Sequence, residues 1–83
     1  MLYEIKHHYK NNQREFNVSY IATEIKFGKK DGFTAIGFKQ EGKNSFTWKY
    51  IETSEYYKKK YEESCDLVVA EATTGRRLYT FNY

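Results

Sequence analysis

The sequence predicts a mainly β (α+β) fold: a small antiparallel, strongly curved sheet, or an SH3-like barrel, of five to six strands with one short helix before the last hairpin. Three observations predict it. Aromatic and apolar residues alternate with a period of two along most of the chain, as in Phe46-Thr47-Trp48-Lys49-Tyr50. Asn- and Gly-containing polar breaks separate those runs, which is hairpin-turn chemistry. Only one stretch, marked by Tyr57, Tyr61 and Cys65 at steps of four, switches to helical spacing.

The first strand is read over Leu2–Tyr9, with Tyr3, Ile5, His7 and Tyr9 on one face. Asn11 and Asn12 then turn the chain, because Asn tolerates positive φ. The second strand begins near Glu15, with Phe16, Val18 and Tyr20 in phase. The apolar phase then moves to Ile21, Thr23, Ile25 and Phe27. A slip of one residue would turn the core set outward, so a β-bulge or bend is expected near Tyr20–Ala22. Gly28–Gly32 reads as a loop carrying Lys29 and Lys30.

A central hairpin follows, Phe33–Gln40 and Ser45–Ile51 joined at Glu41–Asn44. Both faces of its first strand are apolar, which suits a central position. In the second, Phe46, Trp48 and Tyr50 form the expected buried face. Ser54–Ser64 reads as the helix, capped by Thr53 or Ser54 and supported by the Glu55–Lys59 pair. Leu67–Ala72 and Arg76–Tyr83 make the last hairpin, turning at Thr73–Gly75. The expected core is Ile5, Phe16, Val18, Ile25, Ile36, Phe38, Phe46, Trp48, Tyr50, Leu67, Val69 and Phe81.

Eighty-three residues make one domain, residues 1–83, with room for a single modest core. Nine Tyr, six Phe and one Trp exceed what that core needs, since each ring buries about 150–250 Å². Some tyrosines must therefore face outward. The net charge of +3 is too small and too mixed for a protein that coats nucleic acid non-specifically. The lone Cys65 excludes an intramolecular disulfide and points to a reducing compartment. No apolar run approaches the ~20 residues of a membrane helix, and the first residues lack a signal-peptide core. A cytoplasmic protein without membrane partners is expected.

Catalytic, metal and cofactor motifs are not found. His7 and His8 are neighbours on a strand, so they point to opposite faces and cannot share a metal. Cys65 reads as a small buried side chain on the helix, not as a nucleophile. No phosphate loop, dinucleotide fingerprint or nucleophile elbow occurs. These features argue against an enzyme.

Two kinds of binding residue remain. Lys29, Lys30, Lys43, Lys49, Arg76 and Arg77 lie among rings and could hold phosphates while the rings stack on bases. Tyr56, Tyr57 and Tyr61 cannot all point inward from one helix, and with Tyr79 they form a candidate protein-binding surface. Lys58-Lys59-Lys60 is offset by Glu55, Glu62 and Glu63 and reads as a solvated face.

Ile5-Lys-His-His-Tyr-Lys-Asn-Asn, the later Gly32-Phe-Thr-Ala-Ile-Gly-Phe and Ser45-Phe-Thr-Trp-Lys-Tyr-Ile follow one another in an order of strands that resembles the WYL domain. That family is a small SH3/Sm-like barrel attached to many bacterial transcription regulators. Phe33-Thr34-Ala35 stands where the family has its naming tripeptide, and Lys49 is the nearest substitute for its arginines. The resemblance implies a barrel that senses a ligand or a nucleic acid.

The function expected from the sequence is a non-catalytic binding module. A small protein-binding inhibitor or adaptor, such as a phage-encoded anti-defence protein, is the first reading. A nucleic-acid-binding barrel using the six cations above is the alternative. A homodimer through an unpaired edge strand is a further expectation.

Overall fold

The computed structural model describes every residue from Met1 to Tyr83. Six antiparallel strands form one sheet: β1 (Tyr3–Lys10), β2 (Glu15–Lys30), β3 (Phe33–Gln40), β4 (Thr47–Tyr50), β5 (Ser64–Glu71) and β6 (Arg77–Asn82). One helix, α1 (Glu55–Lys60), joins β4 to β5. The order across the sheet is β4-β3-β2-β1-β5-β6. Only β1 and β5 are neighbours through a long connection; every other pair is a hairpin. The sheet is curved and not closed, since β4 and β6 stay as its two free edges. No helix is long and apolar enough to cross a membrane.

The turns follow local chemistry. Asn11 Oδ1 accepts from the backbone N–H of Gln13 and of Arg14, both at 2.8 Å, and this side-chain turn reverses β1 into β2. Asp31 and Gly32 both take positive φ, 50° and 84°, and make the two-residue connection between β2 and β3. The expected loop over Gly28–Gly32 is thus shorter than the sequence suggested. Lys29 and Lys30 are the last residues of β2 and point to opposite faces.

β2 is the longest element and serves both halves of the molecule. Its first half pairs with β1 and its second with β3, and the register shifts between Ala22 and Glu24. Thr23 is the extra residue of this bulge. The bulge lies one to two residues beyond the expected bend. Ala22 is therefore still in phase with Tyr20 and fully buried, whereas Ile21 is turned out. Past the bulge Ile25 and Phe27 join the inner face, opposite Phe38 and Ile36. The bend brings Phe27 edge-on to Tyr79 of β6, with centroids 5.2 Å apart, although β1 and β5 lie between their strands. That contact measures the curl of the sheet.

The core sits in the concave face. Ile5, Ala22, Ile36, Phe38, Cys65, Leu67 and Val69 form one buried cluster, flanked by half-buried Tyr3, Tyr9, Tyr20, Ile25, Ile51 and Phe81. Phe16 and Val18 are half-buried. Three expected core residues are not in it. Phe38 pairs with Thr47 and Ile36 with Lys49, so these polar residues share the concave face of β4. Phe46, Trp48 and Tyr50 belong to the opposite, convex side. The alternation was right and its direction was reversed. The physical reason is Gly37. Trp48 pairs with it across the ladder, and a Cβ there would meet three atoms of the indole at 2.9 Å. Gly28 leaves a second gap, where a Cβ would meet the ring at 3.0 Å. Two glycines thus make a flat seat for the ring on the convex face.

The helix is also shorter than expected. Ser54 caps it, its Oγ accepting from the Tyr57 N–H at 3.2 Å. It ends at Lys60, and Glu62 takes a positive φ of 52°. Cys65 therefore lies on the inner face of β5, not on a helix. Glu62 and Glu63, unfavourable at a helix C-terminus, fall outside the helix altogether. The Asn12 N–H donates to the Tyr61 carbonyl at 2.8 Å and ties the end of α1 to the β1–β2 turn.

Candidate binding cleft

An open cleft of about 560 Å³ runs past the free edge of β4. Three consecutive residues of that strand, Trp48, Lys49 and Tyr50, line it. Consecutive strand residues point to opposite faces, so the cleft must pass the strand's edge and reach both. The other walls come from β1 and β2 (His7, Tyr9, Phe16), the β2–β3 turn (Lys30, Asp31, Phe33), the α1 segment (Tyr57, Tyr61, Glu63) and Tyr83.

The open side of β4 carries unpaired backbone groups. The Ile51 N–H donates to the Thr34 carbonyl at 3.0 Å, which fixes the phase of the ladder. In an antiparallel ladder the inward-facing residues alternate, so Lys49 also faces β3. The N–H and C=O groups of Trp48 and Tyr50 then point away from β3, and no strand lies beyond them. The Thr34 N–H goes to Glu52 Oε1 at 2.7 Å, which ends the ladder there.

Aromatic rings make most of the lining. Tyr9 and Phe16 are stacked at 5.3 Å, and the Arg14 guanidinium lies over both, 5.9 Å and 5.6 Å from their centroids. Tyr57 and Tyr61 are stacked at 6.1 Å. Phe33 meets Tyr50 edge-on at 6.3 Å. Lys30 Nζ stands 5.0 Å above the Tyr50 ring, on the convex side. Lys49 Nζ stands 5.7 Å from the Tyr20 ring, on the concave side.

Charges in the cleft balance in number: Arg14, Lys30 and Lys49 against Asp31, Glu52 and Glu63. They do not pair with one another. The ion pairs of the molecule, Lys6–Glu4 and Lys39–Glu24, and the contacts of His8 with Glu15 and Asp66 all lie outside the cleft. The acids have partners of another kind. The Tyr50 hydroxyl donates to Asp31 Oδ2 at 2.6 Å, and this bond, with burial second, raises the phenol above its ordinary range. Hydrogen bonds from Thr34 hold the Glu52 carboxyl below its ordinary range. Glu63 lies beside the hydroxyls of Tyr9 and Tyr83.

His7 is the buried polar residue of the site. Its Nδ1 has no hydrogen-bond partner, and Phe16 packs edge-on against the ring at 5.3 Å. Burial, then the Lys49 ammonium and His8, pushes its pKa down to about 4, so the ring is neutral at pH 7. Cys65 lies one strand over. Burial raises its thiol to about 11, which leaves little thiolate at neutral pH. No group of three or more His, Cys, Asp or Glu side chains is arranged to hold a metal ion.

The structure gathers four of the ten expected binding residues in this cleft: Lys30, Lys49, Tyr57 and Tyr61. Lys29 instead donates to Thr34 Oγ1 at 3.0 Å. Lys43, Arg76 and Arg77 lie outside the cleft, as do Tyr56 and Tyr79, both exposed. Sequence reasoning missed Arg14, Tyr9, Phe16 and Tyr83. Arg14 carried one signal, its place between the Asn turn and an aromatic strand start. No protein-family model, no curated protein and no solved structure matches the chain.

Proposed function

We propose that the chain is a non-catalytic protein-binding module, of the size and kind used as an inhibitor or adaptor, and that its cleft receives an extended segment of another protein. One observation carries the reading: unpaired backbone groups of Trp48 and Tyr50 face a ring-lined cleft at a sheet edge. A segment laid there would add a seventh strand, its main chain bonding to β4 and its side chains entering the cleft on either face. Rings such as Tyr9, Phe33 and Trp48 give contact area at low entropic cost. The outward C=O groups of Trp48 and Tyr50 favour a polypeptide, whose N–H groups can donate to them, over a chain of phosphates, which offers only acceptors. The thiol character of Cys65 and the low basicity of His7 offer neither a nucleophile nor a good base.

The test is affinity capture from bacterial lysate, with and without nuclease, using the wild-type chain and two variants. Tyr50→Ala removes a ring. Tyr50→Pro also removes an outward N–H, at an edge position where proline leaves the β3 ladder intact. A protein retained after nuclease, weakened by Tyr50→Ala and lost with Tyr50→Pro, is the expected result. Capture that depends on nucleic acid would refute the reading.

A further inference from the structure

We infer that the segment received by the cleft is acidic, with carboxylates presented on both of its faces. This rests on the strand-addition reading above and names the partner's chemistry.

Hydrogen-bonding capacity in the cleft is divided unequally between the two signs. Asp31 and Glu52 each accept a short hydrogen bond from the protein's own donors. Arg14, Lys30 and Lys49 make no ion pair and no side-chain hydrogen bond; each rests over a ring. The cations therefore still have all their donors to give, while two of the three acids already accept one hydrogen bond each. A carboxylate entering the cleft gains charge-assisted bonds. An entering ammonium would find one oxygen of Asp31 and one of Glu52 already accepting, from Tyr50 and from Thr34.

The placement of the cations specifies the pattern. Lys49 is on the concave face of β4 and Lys30 is on the convex side, over Tyr50. Arg14 covers Tyr9 and Phe16, whose strands carry the core on their concave face. A strand added to β4 shows alternate side chains to these two faces. Carboxylates at adjacent positions would then meet Lys49 or Arg14 on one side and Lys30 on the other. Aromatic or aliphatic neighbours would meet Tyr50, Trp48 and the Tyr57–Tyr61 stack.

The experiment compares three probes in a titration followed by amide resonances: a random copolymer of glutamate and tyrosine, one of lysine and tyrosine, and a short oligothymidylate. The expected result is binding of the glutamate copolymer, with perturbation of the Trp48 and Tyr50 amides, at least tenfold tighter than the lysine copolymer. Arg14→Gln, Lys30→Gln and Lys49→Gln should each weaken it about threefold, a value typical of exposed charge pairs. Lys59→Gln on α1, outside the cleft, should leave it unchanged. Equal binding of both copolymers at Trp48 and Tyr50 overturns the acidic preference and leaves the strand-addition reading standing. Binding of neither copolymer at those amides overturns both. Tighter binding of the oligothymidylate at the same residues also overturns both, in favour of nucleic acid. An equal loss with Lys59→Gln would assign the attraction to overall charge and overturn the inference.

Discussion

Replacing Gly37 by alanine probes the seat that holds Trp48 on the convex face. Gly37 is buried and its φ lies outside the left-handed region, so its backbone accepts alanine. The obstacle is the indole. The new methyl carbon would lie 2.9 Å from Cε2, Cζ2 and Cη2 of Trp48 at once. Carbon atoms pack at about 3.5–4.0 Å, so the ring must lift by roughly 0.6–1 Å. Overpacking of this kind costs about 1–3 kcal/mol. Reduced chain entropy in the unfolded state returns about 0.4–1 kcal/mol for Gly→Ala. The net expectation is a loss of about 1–2 kcal/mol. Urea unfolding followed by Trp48 emission measures it, since this is the only tryptophan. The emission maximum should also move, because the ring leaves its backbone seat. Gly32→Ala is the contrast. No atom lies within 4 Å of its added Cβ, but its φ of 84° strains any L residue, so stability falls while Trp48 emission stays put. Gly37→Ala with an unchanged midpoint and unchanged emission would refute the seat.

Acid should destabilise the fold in a defined window. The folded pKa of His7 is depressed from the ordinary 6.5 to about 4, chiefly by burial. Between those values the unfolded chain binds a proton that the native chain refuses, so stability is complete above pH 6.5 and falls as pH drops towards 4. The full shift would correspond to roughly 3 kcal/mol, and solvent in the open cleft should reduce it to about 1–2 kcal/mol. Midpoints of urea unfolding at pH 7 and pH 4.5 read this loss, which His7→Leu should largely abolish; an equal loss in that variant would contradict the assignment. Cys65, buried with its thiol near pKa 11, should react with iodoacetamide at pH 8 at least a hundredfold more slowly in the native state than in urea, by intact mass. Similar rates in both conditions would show that β5 opens readily.

Local chemistry made much of the fold readable. Period-two runs mark β1 and β6, apolar runs bounded by turn residues mark β3 and β5, and the Asn11 turn and the bend in β2 follow from residue type and phase. What could not be read was decided between elements. β3 is apolar on both faces, so its sequence does not say which side is the core. Gly28 and Gly37 settle it by seating Trp48, and this requires knowing that Gly37 and Trp48 are opposite each other. The helix looked longer because Tyr57, Tyr61 and Cys65 keep a step of four, yet Glu62 takes positive φ and β5 claims Cys65 for its pairing with β1. The cleft is non-local for the same reason. Lys49 and Tyr57 were visible as candidates on their own elements. Arg14, Tyr9 and Tyr83 join them only when the sheet curls and the Asn12–Tyr61 hydrogen bond draws the end of α1 over the β1–β2 turn.

Hydrogen exchange at four consecutive amides tests strand addition most directly. In the free protein Lys49 and Ile51 should exchange slowly, because they face β3, and Trp48 and Tyr50 quickly, because they face the cleft. With the glutamate–tyrosine copolymer or a captured partner at saturation, Trp48 and Tyr50 should become slow as well. Protection of Trp48 and Tyr50 in the free chain, or their continued rapid exchange in the complex, would contradict strand addition at β4.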